Sequence, residues 1–221
     1  MQFSAPKAAV NRILRRAFLF TALLFAPLPL LAEEPAFSDI PGVWYESAVK
    51  DFLAQGYLDA AQPTFRGGER ANRAEFVKLI VALNGGIIEE TPKQSSFEDV
   101  STSDWFFPFF EEAAREQWIR GDGDCFGQRS CKVRPSAPVS RAEAAVLVVR
   151  AFGKKSLGTA PAFADNPPGS WFSHAIQIAA DHCILRGDEG SRNVRTGDPL
   201  NRAEMVVMLS RIDEGKEYPN C

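Results

Sequence analysis

Asn72-Arg73-Ala74-Glu75, Ser140-Arg141-Ala142-Glu143 and Asn201-Arg202-Ala203-Glu204 are near-copies of one pattern, recurring at similar intervals along the chain. Each opens an apolar run: Phe76 to Val81 (interrupted by Lys78), Ala144 to Val149, and Met205 to Leu209. A small polar residue followed three positions later by Glu is the capping box of a helix N-terminus. Asn72, Ser140 and Asn201 are therefore expected caps, with Glu75, Glu143 and Glu204 as their reciprocal partners. The box does not require the Arg just inside the cap, where a cation meets the positive end of the helix dipole. Its presence in all three copies calls for a cause.

The repeat extends over most of the chain. The units open on Phe37-Ser38-Asp39-Ile40, Phe97-Glu98-Asp99-Val100 and Phe163-Ala164-Asp165, and an aromatic pair follows in each: Trp44-Tyr45, Trp105-Phe106 and Trp171-Phe172. Apolar pairs then recur every four residues (Trp44, Tyr45, Ala48, Val49, Phe52, Leu53 in the first unit), the stripe of an amphipathic helix. Asp104 and Ser170 stand where N-caps of these helices would. Gly56 is a helix terminator, with Gln117 and Cys183 at the matching places. Phe65, Val133 and Val194 lie eight residues before the motif arginines, as apolar plugs fixing how each loop enters the second helix. The second helices are apolar nearly all round and belong in the centre of a bundle. The expectation is an all-α, pseudo-threefold helical bundle of three repeats, about 37–84, 97–153 and 163–213. Each central helix is expected to be flanked by its own unit's first helix, and the three units to fold together because one alone could not bury these faces. The linkers Asn84 to Ser96 and Gly153 to Pro161 read as polar and exposed.

Positions 1–32 read differently. Lys7, Arg12, Arg15 and Arg16 precede an apolar stretch from Ala17 to Leu31, and Ala32 offers a small residue for cleavage, the layout of a secretory signal peptide. A retained anchor is the weaker reading, since Pro27 and Pro29 break a run already short of the ~20 residues needed to span a bilayer. Residues 33–221 are then one exported module at the cell surface or in the periplasm, with no membrane span after cleavage. Losing four basic residues moves the net charge from −3 to −7. That sign disfavours nucleic acid, which selects basic patches.

Cys125, Cys131, Cys183 and Cys221 are an even set in an exported chain, which suggests two disulfides. Three pairings are open; Cys125–Cys131 and Cys183–Cys221 are favoured. Zinc is disfavoured by the lack of close Cys-x-x-Cys spacing and of neighbouring His. Asp122 and Asp124 lack the later ligands of a calcium loop. No metal and no cofactor is expected.

These residues resemble the S-layer homology (SLH) domain, for which an aromatic-x-Asp opening, a Trp, a helix, a loop and a Thr-Arg-Ala-Glu-type helix start are characteristic. Three tandem copies are that family's usual complement. The resemblance implies a three-pronged spindle that holds cell-envelope polysaccharide without covalent linkage: a pyruvylated secondary wall polymer or peptidoglycan. It also implies that the motif arginines, here Arg73, Arg141 and Arg202, contact the polymer's acidic groups. The chain departs from the pattern in its caps, in keeping the helix-ending Gly only at Gly56, and in its cysteines.

Elementary chemistry gives the same arginines a rationale. Free N–H groups at a helix start favour anions, and a guanidinium beside them offers a planar fork to a carboxylate. The competing reading pairs each Arg with Asp39, Asp99 or Asp165. Those three aspartates and Trp44, Trp105 and Trp171 are candidate groove residues; the tryptophans suit either sugar stacking or the core. No catalytic constellation is visible, since no Glu or Asp recurs outside the repeat framework. The leading expectation is a non-catalytic wall-glycan binder. The alternative is a structural protein whose partner is another envelope protein.

Overall fold

The computed structural model describes residues 37–86, 92–128, 130–160 and 162–212. The expected signal peptide (1–32) and the Cys183–Cys221 pairing, through Cys221, lie outside the described residues. Six helices occur in order: α1 Glu46–Ala54, α2 Arg73–Leu83, α3 Phe107–Arg115, α4 Arg141–Ala151, α5 Ser173–Asp181 and α6 Arg202–Ser210. Among the described residues β-pairing is confined to isolated bridges. The fold is all-α.

The three Arg-Ala-Glu segments start α2, α4 and α6. In each, the cap side chain accepts the N3 backbone N–H and the Glu carboxylate accepts the cap's own N–H. The first helix of each unit starts later than the capping pattern suggests. Asp104 and Ser170 are not N-caps: α3 and α5 begin three residues beyond them, after Phe106 and Phe172, with no side-chain cap. The aromatic pair occupies a turn instead, in which Val43, Asp104 and Ser170 carbonyls accept the N–H groups of Glu46, Phe107 and Ser173. The Asp104 carboxylate reaches back to the Ser101 N–H at 2.8 Å. That turn splits the aromatic pairs. Tyr45, Phe106 and Phe172 pack against the core. Trp44, Trp105 and Trp171 lie outside it, 67%, 56% and 68% exposed. The apolar stripe therefore begins one residue after each Trp.

Buried residues from Phe37 to Ile212 form one hydrophobic cluster. Its helix pairings differ from the expected ones. α2 packs on α3, α4 on α5, and α6 on α1, so each central helix is flanked by the first helix of the following unit, the third unit returning to the first. The expectation that each unit pairs its own two helices is thus corrected. The reason lies in the chain's course: from α2 it passes through a linker directly to α3, whereas a long plug-bearing loop separates α1 from α2.

The described parts of the linkers are largely exposed but tethered. The Asp181 carboxylate accepts N–H groups from Leu157, Gly158, Thr159 and Ala160 and the Ser156 hydroxyl, at 2.8 to 3.1 Å. Glu111 holds Ser95 and Ser96 in the same manner. Both acids are buried.

Candidate functional site

The site is built around the plug loops. Phe65, Val133 and Val194 are fully buried. The residue after each, Arg66, Arg134 or Arg195, has a left-handed backbone with φ of 59°, 51° and 54°. That conformation is uncommon for a side chain larger than Gly. It is held by the aspartate opening the same unit. Asp39 accepts the N–H groups of Phe65 and Arg66 at 2.7 Å; Asp99 does so for Val133 and Arg134, and Asp165 for Val194 and Arg195. Burial would raise the Asp39 carboxyl, but these N–H groups outweigh it and hold the carboxyl below its ordinary value. The three aspartates are loop clamps, and the motif arginines do not pair with them.

The arginines reach into the next unit instead. Arg73 Nε donates to the Val133 carbonyl at 2.7 Å, and its Nη1 lies 3.0 Å from Glu143. Arg141 makes the same contacts to the Val194 carbonyl (2.7 Å) and Glu204 (3.5 Å). Arg202 closes the circuit on the Phe65 carbonyl (2.9 Å) and Glu75, with its guanidinium 5.1 Å from the Phe65 ring centre. Each Glu thus serves both its own helix cap and the preceding unit's arginine. Arg73 and Arg141 are buried. Burial lowers the pKa of both, and the facing Glu charges partly restore it.

Helix starts normally leave N–H groups free to bind an anion. Here they are consumed. The N–H groups of Arg73 and Ala74 donate to the carbonyls of Ala137 and Pro135; Arg141 and Ala142 donate to Asp198 and Thr196; Arg202 and Ala203 donate to Glu69 and Gly67. Just before them, Ala71 donates to Leu200, Leu200 to Val139, and Val139 to Ala71, a closed ring of backbone hydrogen bonds joining the three units at 2.9 to 3.1 Å. The free-N–H rationale for anion binding at these helix starts is corrected by this pairing.

Grooves adjoin the junctions and share their Arg–Glu pairs. The larger, of about 570 Å³, has one face of α4 as its floor, with Glu143, Val146, Leu147 and Arg150 at three- and four-residue spacing. Arg73 of the first unit, the 119–124 loop, Arg134 and Trp171 of the third unit complete its lining. Asp122 pairs with Arg134 at 2.7 Å, Arg134 also reaches Glu143 at 3.1 Å, and Asp124 lies 3.7 Å from Arg120. Arg150 has no hydrogen-bond or ion-pair partner among the described residues. Desolvation lowers its pKa, and the neighbouring Arg120 charge adds to the effect. The loop is braced by the Cys125–Cys131 disulfide. Gly121 (φ 75°) sits against both sulfurs, where an added Cβ would clash.

A second groove of about 190 Å³ repeats the plan one unit on, with Arg141, Arg195, Glu204, Val207, Met208, Arg211 and the indole of Trp44. Here Arg141 Nη2 donates to the Arg186 carbonyl at 2.8 Å, and Arg195 lies 3.0 Å from Asp188. The matching face of α2 reads Glu75, Lys78, Leu79 and Ala82. Arg120, Arg134, Arg150 and Arg195 fall outside the capping motif and are not among the residues it points to. Two recurrences mark their surroundings: an Arg after every plug, and Arg-Gly-Asp at both 120–122 and 186–188.

The chain is similar to bacterial surface and cell-wall proteins. It is 32% identical to the surface layer protein of Brevibacillus choshinensis over 96% of this chain and 18% of that protein. It is 29% identical to the middle cell wall protein of Brevibacillus brevis over 96% of this chain and 19% of that protein. A region of the exoglucanase XynX of Acetivibrio thermocellus is 27% identical over 62% of this chain and 11% of that enzyme. The chain spans about a fifth of the length of its surface-layer and cell-wall relatives. No family model matches it. Among the described residues no helix is long and apolar enough to cross a membrane.

Proposed function

We propose that residues 33–221 form one exported module of three SLH repeats that holds an acidic envelope polysaccharide in the grooves beside Arg73, Arg141 and Arg202. The polymer is a pyruvylated secondary wall polymer or peptidoglycan, the binding is non-covalent, and the module does no chemistry on it. The observation that carries this reading is the groove along α4. It combines a cleft of small-ligand size, several guanidiniums and an exposed indole, the constituents of an acidic-sugar site. Similarity to surface-layer and cell-wall proteins supports the location. Arg73 lines the larger groove and Arg141 the smaller, each with Nε and Nη1 already engaged, while Arg202 lines neither.

Co-sedimentation of the exported protein with purified sacculi, before and after extraction of the secondary polymer, tests the reading. Because the motif arginines also join the units, the informative variant replaces the exposed Trp44, Trp105 and Trp171 with Ala. Loss of sedimentation in a folded triple variant is expected. Undiminished sedimentation contradicts the groove assignment. A stoichiometric envelope protein co-purifying without wall retention would favour the protein-partner alternative.

A further inference from the structure

Resting on that reading, we infer that Arg150, and not the motif arginine, recognises the acidic group of the saccharide in the α4 groove. Four arginines line this groove against three carboxylates, Asp122, Asp124 and Glu143. Three of the arginines are committed. Arg73 is held by the Val133 carbonyl and Glu143, Arg134 by Asp122 and Glu143, and Arg120 faces Asp124. Arg150 is left without an ion pair and carries the excess positive charge, acted on by Asp124 only through space. A guanidinium with its fork open is suited to a planar carboxylate or to two phosphate oxygens. A favourable end-of-helix position explains a cation in the last turn of α4 but not its facing a cleft beside an exposed indole.

The three central helices differ at this position. α2 carries Ala82, and Arg211, following α6, lies 3.5 Å from the Ile184 carbonyl and borders the smaller groove. Acid recognition is thereby concentrated in one of the repeated grooves. Val146 and Leu147 form an apolar floor between Glu143 and Arg150, and Trp171 offers a face on which a sugar ring can lie. The ligand class is a saccharide bearing one anionic substituent near an apolar ring face.

The test uses the whole exported protein and sacculi of Brevibacillus choshinensis, the organism of the similar surface layer protein, in two forms: untreated, and with wall carboxylates amidated. Arg150→Gln is expected to weaken binding to untreated sacculi about tenfold or more, as loss of a charged hydrogen-bonding partner does. Arg150→Lys should recover part of it, Lys93→Gln, an equal loss of charge outside both grooves, should change it less than about twofold, and none should move the melting temperature appreciably. If amidation abolishes binding by the unaltered protein, the anion is a carboxylate. If amidation leaves both that binding and its dependence on Arg150, the anion is a phosphate. Both results support the role of Arg150. Unaltered binding by folded Arg150→Gln overturns the inference and leaves the glycan reading standing. Failure of the unaltered protein to bind either form overturns the glycan reading itself, and this inference with it.

Discussion

The junctions and the grooves share Arg73, Glu143, Arg141 and Glu204 yet obey different rules. At the junctions the three units are alike: a cap, an arginine crossing to the next unit's plug carbonyl and Glu, and helix N–H groups donated to the next unit's loop. In the grooves they diverge. The position seven residues after the capping Glu is Ala82, Arg150 or Arg211, and one loop alone carries the Cys125–Cys131 disulfide. Threefold recurrence of a charged residue therefore signals closure of the fold here, and departure from recurrence signals where the units have specialised.

The largest expected effect falls on a junction. Arg73→Ala removes a buried guanidinium and leaves the Val133 carbonyl without that donor, so urea unfolding should show a loss of about 3 kcal/mol. Arg150→Gln, on the same groove but outside the junction, should stay within about 0.5 kcal/mol. Equal losses would erase the distinction between the two regions.

Next comes the linker clamp. Burial would raise the Asp181 carboxyl, but N–H groups from Ala160, Leu157 and Gly158 and the Ser156 hydroxyl outweigh it and hold it far below its ordinary value. A depressed folded-state pKa contributes stability above the unfolded-state value of about 4, which is lost as pH falls through the folded-state value. Unfolding free energy should thus be flat near neutrality and decline below about pH 4. Asp181→Asn should be about 2 kcal/mol less stable at pH 7 and show a shallower acid decline. An unchanged pH profile would remove Asp181 from the account.

A smaller effect separates the grooves from each other. Replacing Cys125 and Cys131 with Ser should cost about 2 kcal/mol through loss of a short closed loop. Hydrogen exchange should then rise across 119–128 beside the larger groove and stay unchanged across 185–195 beside the smaller one. The smallest effect is that of Trp171→Ala on stability, under about 0.5 kcal/mol given its exposure, while wall binding weakens. A large stability loss would place Trp171 in the core after all.

Much of this was legible in the sequence. The capping boxes, the plugs Phe65, Val133 and Val194 and the equivalence of Gly56, Gln117 and Cys183 (φ of 74°, 59° and 56°) follow from local patterns with short-range causes, and of the three open cysteine pairings the favoured Cys125–Cys131 bridge is formed. Which unit each element touches did not follow. Periodicity marks α1 and α2 as having apolar faces, yet it carries no information on whether α2 lies against α1 or α3. The same limit applied to the arginines, whose partner Glu comes from another unit far along the chain: Glu143 for Arg73 and Glu75 for Arg202. Trp44, Trp105 and Trp171 were ambiguous because a residue at the edge of an apolar stripe faces inward or outward according to where the helix begins. The tight turn before Glu46, Phe107 and Ser173 decided that.

A double-mutant cycle on Arg73 and Glu143 asks whether the motif arginine joins one unit to the next. Unfolding free energies are measured for the unaltered protein, Arg73→Ala, Glu143→Ala and the double variant, so that the helix-cap contribution of Glu143 cancels. A coupling energy of about 1–3 kcal/mol is expected. Additivity within about 0.3 kcal/mol would contradict it and return the arginine to the role of a ligand contact awaiting its anion.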